Sequence, residues 1–227
     1  MIIFVSIYVL ITSIFSIWCS YNNKKLYQFT KILPMIGLIL VLGVNLFSKF
    51  EIFTLLMLIG IILGSIGDLF LVNQQKPLFF VLGLSSFALN HIFYISAFLT
   101  KTLTLKPFSL NWQLNPLVII VVILLVLSYG TFLAFRMKRD GNTKLIVPVW
   151  IYILLLSTMV LNAMNVNIVA QIKYNLFIIA AILFFISDGL LSVDFFITKS
   201  KVKIMTALVL STYYAAQCLF VFGTILK

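Results

Sequence analysis

Charged residues are scarce in this chain: they make up 9% of its 227 residues, and only 5 are acidic. Soluble domains carry about 25% charged residues, so this composition excludes an ordinary water-soluble protein. Hydrophobic residues reach 63%, and the mean hydropathy is +1.21. Because no stretch is polar enough to form a separate soluble domain, we predict a single integral membrane domain over residues 1–227.

Side chains that bind metals or take part in redox chemistry are also few. The chain has one histidine, His91, and two cysteines, Cys19 and Cys218, which lie in separate apolar stretches. Zinc and haem sites need several such ligands at short, regular spacings. A glycine-rich phosphate loop and a nucleophile elbow are missing as well. The sequence therefore predicts no metal, no other cofactor and no disulfide.

Long apolar stretches separated by charged residues indicate membrane-spanning helices. A span needs about 20 mostly apolar residues, and lipid admits only helices and closed barrels. The alternation of apolar and polar residues that is typical of a barrel is missing from runs such as Val118 to Leu127. We predict an all-α bundle of about eight transmembrane helices, over residues 2–20, 28–47, 52–72, 77–100, 113–136, 144–163, 173–197 and 203–226.

The net charge of +11 comes from basic residues at the junctions of these helices. Those at odd-numbered loops are Lys24, Lys25, Lys31, Lys76, Arg136, Lys138, Arg139, Lys144, Lys199, Lys201 and Lys203. The others are Lys49, Lys101, Lys106, Lys173 and Lys227. Because basic loops remain in the cytoplasm, we predict cytoplasmic odd-numbered loops and both termini outside. The membrane is the inner cell membrane if the source is bacterial. Without a basic soluble module, nucleic-acid binding is not expected.

Two aspartates interrupt the apolar stretches, Asp68 in the third predicted span and Asp188 in the seventh. An intramembrane carboxylate costs about 2.5–3.5 kcal/mol on insertion scales, so both positions are hypotheses for a functional site. At about 1.5 Å per residue, both lie in the cytoplasmic half, where we expect one shared cavity. Gly60 and Gly64 lie on the same helical face as Asp68 and favour close helix contact, so we expect Asp68 to point into the bundle. The alternative is that its carboxylate only stabilises packing by bonding across helices.

A weak internal repeat relates the two aspartates. Residues 31–34 open the second span with Lys-Ile-Leu-Pro, and residues 144–148 open the sixth with Lys-Leu-Ile-Val-Pro. One span later follow Gly67-Asp68 in the first half and Ser187-Asp188 in the second. A 4+4 parallel repeat would keep both halves in the same orientation. The other interpretation is that Lys and Pro are simply frequent at helix starts.

Further polar side chains lie within the predicted spans. His91 and Tyr94 are three residues apart and share a helical face. An imidazole there can transfer protons or bind a headgroup, and a packing role is the alternative. Tyr213 and Gln217 are four residues apart and form a polar stripe on the last span. Hydrogen bonding between helices is the alternative to a binding role for this stripe.

Two charged residues lie near the ends of predicted spans. Lys31 begins the second span, where we expect it to anchor the helix at the membrane surface or to meet a phosphate group. Asp194 lies near the end of the seventh span, where we expect its carboxylate to be solvated at the interface.

Taken in chain order, six short motifs resemble the YhhN-like, or lysoplasmalogenase, family of multi-pass membrane proteins. They are Lys31-Ile32-Leu33-Pro34, Gly67-Asp68-Leu69-Phe70-Leu71, Phe87 through His91 to Tyr94, Pro148-Val149 to Tyr152, Ser187-Asp188-Gly189-Leu190-Leu191, and Thr212-Tyr213-Tyr214 to Gln217. The resemblance runs from about residue 25 to residue 220. Gly189 is a minor departure, because another small residue such as serine is more common there.

The resemblance implies hydrolysis of the vinyl ether bond of lysoplasmalogens, without a cofactor, to a fatty aldehyde and glycerophosphoethanolamine or glycerophosphocholine. An acid protonates the alkenyl β-carbon, water adds to the oxocarbenium ion, and the hemiacetal collapses. Glycosidases meet a similar cation with two carboxylates. We therefore expect Asp68 and Asp188 to be catalytic, in roles left unassigned. The expected supporting or substrate-binding residues are His91, Tyr94, Tyr213, Gln217 and Lys31.

Two other classes of protein fit the same residues. A transporter or channel uses intramembrane carboxylates as a proton or cation relay, although the first and fifth spans are nearly free of ionisable groups. A non-catalytic lipid-binding or membrane-assembly protein would use the aspartates only for packing. The partners that we expect are a lysophospholipid substrate and membrane lipids, with no protein partner and no nucleic acid.

Overall fold

The structure is a computed structural model that describes residues 2–106, 112–171, 174–199 and 202–226. Within these ranges a 3₁₀ turn, Thr143–Leu145, precedes the seventh α-helix, and a π-helical turn, Asp194–Thr198, extends the eighth. Lys173, Lys201 and Lys227, which belong to the charge pattern, lie outside the described residues. The α-helices are α1 (Ile2–Asn22), α2 (Lys24–Thr30), α3 (Leu33–Ser48), α4 (Ile52–Leu71), α5 (Pro77–Leu105), α6 (Pro116–Arg139), α7 (Ile146–Val169), α8 (Asn175–Val193) and α9 (Lys203–Ile225).

Eight helical segments of the described chain are long and apolar enough to cross a membrane, with α2 and α3 counted as one. The predictions of an all-α fold and of eight spans are therefore confirmed. Large apolar side chains of α1 and α6, such as Phe4 and Leu124, are exposed. Helices that are apolar on every side are typical of membrane spans. The orientation of the termini and the 4+4 repeat stay predictions.

The second predicted span is broken in the middle of its first half. α2 ends at Thr30, and α3 begins at Leu33. Pro34 lies four residues after Thr30, so it cannot donate a backbone hydrogen bond to the Thr30 carbonyl, and its ring clashes with that group. We call residues 31–32, between the two helices, the elbow. Lys31 lies in the elbow and is buried.

Two helices continue beyond the ends that the sequence predicts. α5 continues five residues past residue 100, because Lys101 does not interrupt it. The Lys101 Nζ lies 5.7 Å from the ring centroids of both Phe53 and Tyr174, a cation–π arrangement that holds the charge against the bundle. α7 continues six residues past residue 163. In its last turn the Asn167 side chain accepts a hydrogen bond from the Tyr174 backbone N–H at 2.6 Å.

Glycines let α4 approach α5 closely near the candidate site. A Cβ added to Gly67 would lie 2.7 Å from a ring carbon of Phe87 and 3.3 Å from the Gly83 carbonyl oxygen. A Cβ added to Gly60 would lie 2.4 Å from the Tyr94 ring. Because any larger residue would push these helices apart, the small residues bring polar groups of α4 and α5 together.

Candidate active site

Asp68 and Lys31 form a buried ion pair between α4 and the elbow. The Lys31 Nζ lies 3.1 Å from Oδ1 of Asp68 and donates to the Asp68 carbonyl oxygen at 3.3 Å. The exposed fractions are 7% for Lys31 and 3% for Asp68. The expectation that Lys31 is an anchor at the membrane surface is therefore wrong, because the break in the helix turns its side chain into the bundle. Tyr214 of α9 stabilises the elbow by donating to the Lys31 carbonyl oxygen at 2.9 Å.

Asp188 has different partners, which come from α5 and α7. The Tyr152 hydroxyl donates a hydrogen bond to Oδ2 of Asp188. The Nε2 atom of His91 lies 3.0 Å from the Tyr152 hydroxyl oxygen and 3.5 Å from Oδ2 of Asp188. His91 is fully buried. These three side chains form a continuous hydrogen-bonding path that ends on a carboxylate, which is the arrangement that proton transfer needs.

A third group of polar side chains lies between α4, α5 and α9. The Tyr94 hydroxyl donates to Oε1 of Gln217 at 2.6 Å, and the Asn90 amide donates to the Gly60 carbonyl oxygen at 2.6 Å. The sequence placed Tyr94 with His91 because of their spacing, whereas the structure joins Tyr94 to Gln217 across two helices. The interpretation that Gln217 forms hydrogen bonds between helices is thus correct for its Oε1 atom.

The polar atoms around Gly64 are incompletely paired. Within the described part of the chain, four buried polar atoms make no hydrogen bond of good geometry: Oδ2 of Asp68, Oδ1 of Asn90, the Tyr213 hydroxyl and Nε2 of Gln217. A Cβ added to Gly64 would lie 3.2 Å from the Tyr213 oxygen, 3.3 Å from Nε2 of Gln217 and 3.5 Å from Nδ2 of Asn90. Buried polar groups of this kind commonly bind an internal water molecule.

Aromatic rings lie between the surroundings of the two aspartates. Phe87, Phe184 and Tyr213 meet edge to face. The centroid distances are 6.3 Å between Phe87 and Phe184, 5.8 Å between Phe87 and Tyr213, and 5.5 Å between Phe184 and Tyr213. The hydroxyl of Tyr213 faces the carboxyl group of Asp68, while Phe184 contacts His91 with a centroid distance of 4.9 Å. Asp68 and Asp188 therefore belong to two neighbouring hydrogen-bonding groups, each with its own partners. Their catalytic roles stay predictions.

The two groups adjoin different cavities. Asp188 and Tyr152 line a narrow apolar pocket of about 60 Å³ between α5, α6, α7 and α8. Lys31 lines a polar cavity of about 470 Å³ at the neighbouring end of the bundle. Leu71 and Leu191 line both. Instead of the single shared cavity that we expected, the structure has an apolar pocket and a polar cavity that meet at these two leucines.

The sequence missed Tyr152 and Asn90 as site residues. Each is a polar residue inside an apolar span, which is the signal that identified the aspartates. The expectation that Asp194 is solvated is wrong: it is 3% exposed, and its Oδ1 accepts a hydrogen bond from the Thr198 hydroxyl at 2.7 Å within the π-helical turn. Within the described ranges, no three His, Cys, Asp or Glu side chains cluster as metal ligands do.

Comparisons with known proteins agree on one family. The profile of the YhhN family matches residues 26–224. Lysoplasmalogenase TMEM86B of Mus musculus is 27% identical over 166 residues, which cover 73% of this chain and 62% of that protein. Lysoplasmalogenase TMEM86A of Bos taurus is 29% identical over 171 residues, which cover 74% and 64%. The chain thus matches less than two thirds of the length of these relatives. No solved structure matches it.

Proposed function

Since this chain belongs to the YhhN family and is a multi-pass integral membrane protein, we propose that it hydrolyses the vinyl ether bond of lysoplasmalogens. The products are a fatty aldehyde and glycerophosphoethanolamine or glycerophosphocholine. The observation that carries the proposal is the Asp188 carboxyl group, joined to Tyr152 and His91, on the wall of an apolar pocket. The similarity to two lysoplasmalogenases supports the same class of reaction.

Asp188 is the proton donor in this proposal. Its carboxyl group lines the apolar pocket, which matches an alkenyl chain in polarity. The carboxyl proton is transferred to the β-carbon of the vinyl ether, whose π electrons form the new C–H bond. The positive charge is then shared by the α-carbon and the ether oxygen. His91 and Tyr152 return a proton to Asp188 after each turnover, because their polar atoms lie within hydrogen-bonding reach of it.

Asp68 is the carboxylate that receives a proton from the attacking water. Lys31 holds Oδ1, while Oδ2 makes no hydrogen bond of good geometry in the described chain and the Tyr213 hydroxyl lies beside the carboxyl group. The polar atoms of Tyr213 and Gln217 beside Gly64 orient the water. Water adds to the α-carbon and gives its proton to Asp68, which forms a hemiacetal. The hemiacetal gives its hydroxyl proton to solvent water, its bond to the glycerol oxygen breaks, and the protonated Asp68 transfers its proton to that oxygen, which restores the carboxylate.

The test is aldehyde release by the purified protein from a defined lysoplasmenylethanolamine. General acid catalysis contributes about 10²–10⁴-fold, so we expect Asp188→Asn to lose at least about 100-fold in turnover. Asp68→Asn should lose activity as well. The matched control is Asp140→Asn, because Asp140 pairs with Lys199 at the end of the bundle and belongs to neither of the two hydrogen-bonding groups.

Several results would contradict the proposal. A folded wild-type protein that releases no aldehyde would refute it, as would two aspartate variants that keep wild-type turnover. A lysolipid with a saturated alkyl ether has no alkene to protonate and should release no aldehyde. Proton-coupled flux into liposomes without aldehyde release would identify a transporter instead.

A further inference from the structure

The polar cavity lies where the ends of α1, α2, α4 and α8 meet the start of α9. Its polar lining includes Gln28, Asn73 and Thr206, together with Lys31 and Asp194. At about 470 Å³ it falls within the usual range of ligand pockets, roughly 300–1,000 Å³. Because it adjoins the apolar pocket, a molecule that occupies both must be polar at one end and apolar at the other.

Two opposite charges face this cavity. Among its described lining residues, the charged side chains are those of Lys31 and Asp194, and both are buried. Buried charges are stable in proteins only when they are paired or hydrogen-bonded. Lys31 is already paired with Asp68, whereas Asp194 accepts a hydrogen bond from Thr198 but has no ion pair among the described residues. A ligand with a cationic group for Asp194 and an acceptor oxygen for Lys31 would complement the cavity.

Both charged side chains keep some capacity for a ligand. An ammonium group has three donors, and Lys31 uses two of them, on the Oδ1 and carbonyl oxygens of Asp68. A carboxylate has about four acceptor positions. Asp194 accepts the Thr198 hydroxyl with Oδ1. Lys31 can therefore donate to a phosphate oxygen. The Asp194 carboxylate can attract an ammonium group by its charge, and it can accept a hydrogen bond from one that carries N–H.

We propose that the polar cavity binds the zwitterionic headgroup of a lysophospholipid, with its phosphate at Lys31 and its ammonium group at Asp194. The assignment of the lipid's single chain to the apolar pocket rests on the proposed function. Asp194 is then a residue that determines headgroup specificity, and it takes no part in the chemistry. A phosphate without an ammonium group can use the third donor of Lys31 but leaves the Asp194 carboxylate without a counter-charge.

The experiment measures binding of lysolipids that cannot be cleaved. Saturated alkyl ether lysolipids with phosphocholine, phosphoethanolamine or a bare phosphate headgroup displace a fluorescent alkyl lysophosphocholine from purified protein in nanodiscs. We expect the wild type to prefer the two zwitterionic lipids. Because Asp194→Asn removes the charge that attracts either ammonium group, and weakens the hydrogen bond that phosphoethanolamine alone can donate, it should weaken binding of the zwitterionic lipids at least about tenfold and remove the preference.

Thr198→Val is the matched control for a structural role of Asp194. It removes the Thr198 hydrogen bond but keeps the carboxylate, so the preference should stay within about twofold of the wild type. An Asp194→Asn protein that prefers zwitterionic lipids as the wild type does would overturn the proposal. So would a Thr198→Val protein that loses the preference equally. Soluble glycerophosphocholine and inorganic phosphate serve as competitors, and displacement by phosphate as strong as by the lipids would indicate a site for free phosphate.

The outcome is separable from the proposed reaction, because the alkyl lipids are not substrates. A protein that binds them with the expected preference but releases no aldehyde from alkenyl lipids contradicts the proposed function and leaves the headgroup site standing. A protein that releases aldehyde, and whose Asp194→Asn variant keeps the wild-type headgroup preference, contradicts the headgroup site alone.

Discussion

Replacing Lys31 with methionine leaves the Asp68 carboxylate buried without its cation. At the observed 3.1 Å between Nζ and Oδ1, the attraction between two unit charges is about 5 kcal/mol at an effective dielectric constant of about 20. Removing one member of a buried pair costs about 3–5 kcal/mol, because the remaining charge is uncompensated. Methionine keeps an unbranched apolar side chain of similar length. We therefore expect Lys31→Met to lower the free energy of unfolding by about 3–5 kcal/mol.

A second substitution separates the charge effect from packing. In the double variant Lys31→Met/Asp68→Asn neither charge is buried, so most of the lost stability should return. The matched control is Lys49→Met at the other end of the second span. The Lys49 Nζ lies 3.0 Å from Oε1 of Glu51, but the Lys49 side chain is 79% exposed. Exposed pairs contribute about 0–1 kcal/mol, so Lys49→Met should change stability little.

The measurement is unfolding in mixed micelles as the fraction of denaturing detergent rises, monitored by circular dichroism. The proteins compared are the wild type, Lys31→Met, Asp68→Asn, the double variant and Lys49→Met. The four values of the pair give the coupling energy between Lys31 and Asp68. The reasoning is refuted by a Lys31→Met loss no greater than that of Lys49→Met. A double variant as unstable as Lys31→Met would also refute it.

Two further predictions concern glycines. Gly60→Ala would place a methyl group 2.4 Å from the Tyr94 ring and should lower the free energy of unfolding by about 1–3 kcal/mol. The control Gly43→Ala has nothing within 4 Å of the added methyl group and should not destabilise the protein in the same unfolding measurement. Equal losses of stability in the two variants would contradict the close contact at Gly60. Gly64→Ala should leave the fold intact but lower aldehyde release at least about tenfold, because its methyl group takes the position beside the Tyr213 hydroxyl; unchanged turnover would contradict the assigned water position.

Most of the fold could be predicted because lipid restricts the backbone so strongly. In lipid a long apolar stretch is stable as a helix, so the composition and the charged residues that separate the stretches were enough to place eight spans. The break at the elbow was not predicted, although Pro34 is visible in the sequence. The break places Lys31 inside the bundle only because Asp68, 37 residues away in the chain, stabilises the inward position of the lysine.

Candidate site residues could be found because polar groups are costly in lipid and stand out. Their partners could not be found, because pairing depends on which helix faces pack together. Tyr152 joins Asp188 only because α7 packs on α8. Asp194 was misassigned for a related reason: its position near a span end predicts a solvated carboxylate, whereas the π-helical turn gives it a local partner in Thr198.

The two leucines shared by the cavities have a consequence for selectivity. Leu71 and Leu191 line both the polar cavity and an apolar pocket of only about 60 Å³. A pocket of this volume leaves room for one tail at most, so a lipid with two tails on neighbouring glycerol carbons would not fit there. Ordinary bilayer lipids surround the protein in enormous excess. A small pocket of this kind would therefore exclude the two-tailed bilayer lipids and leave the site free for a lysolipid, which has one tail.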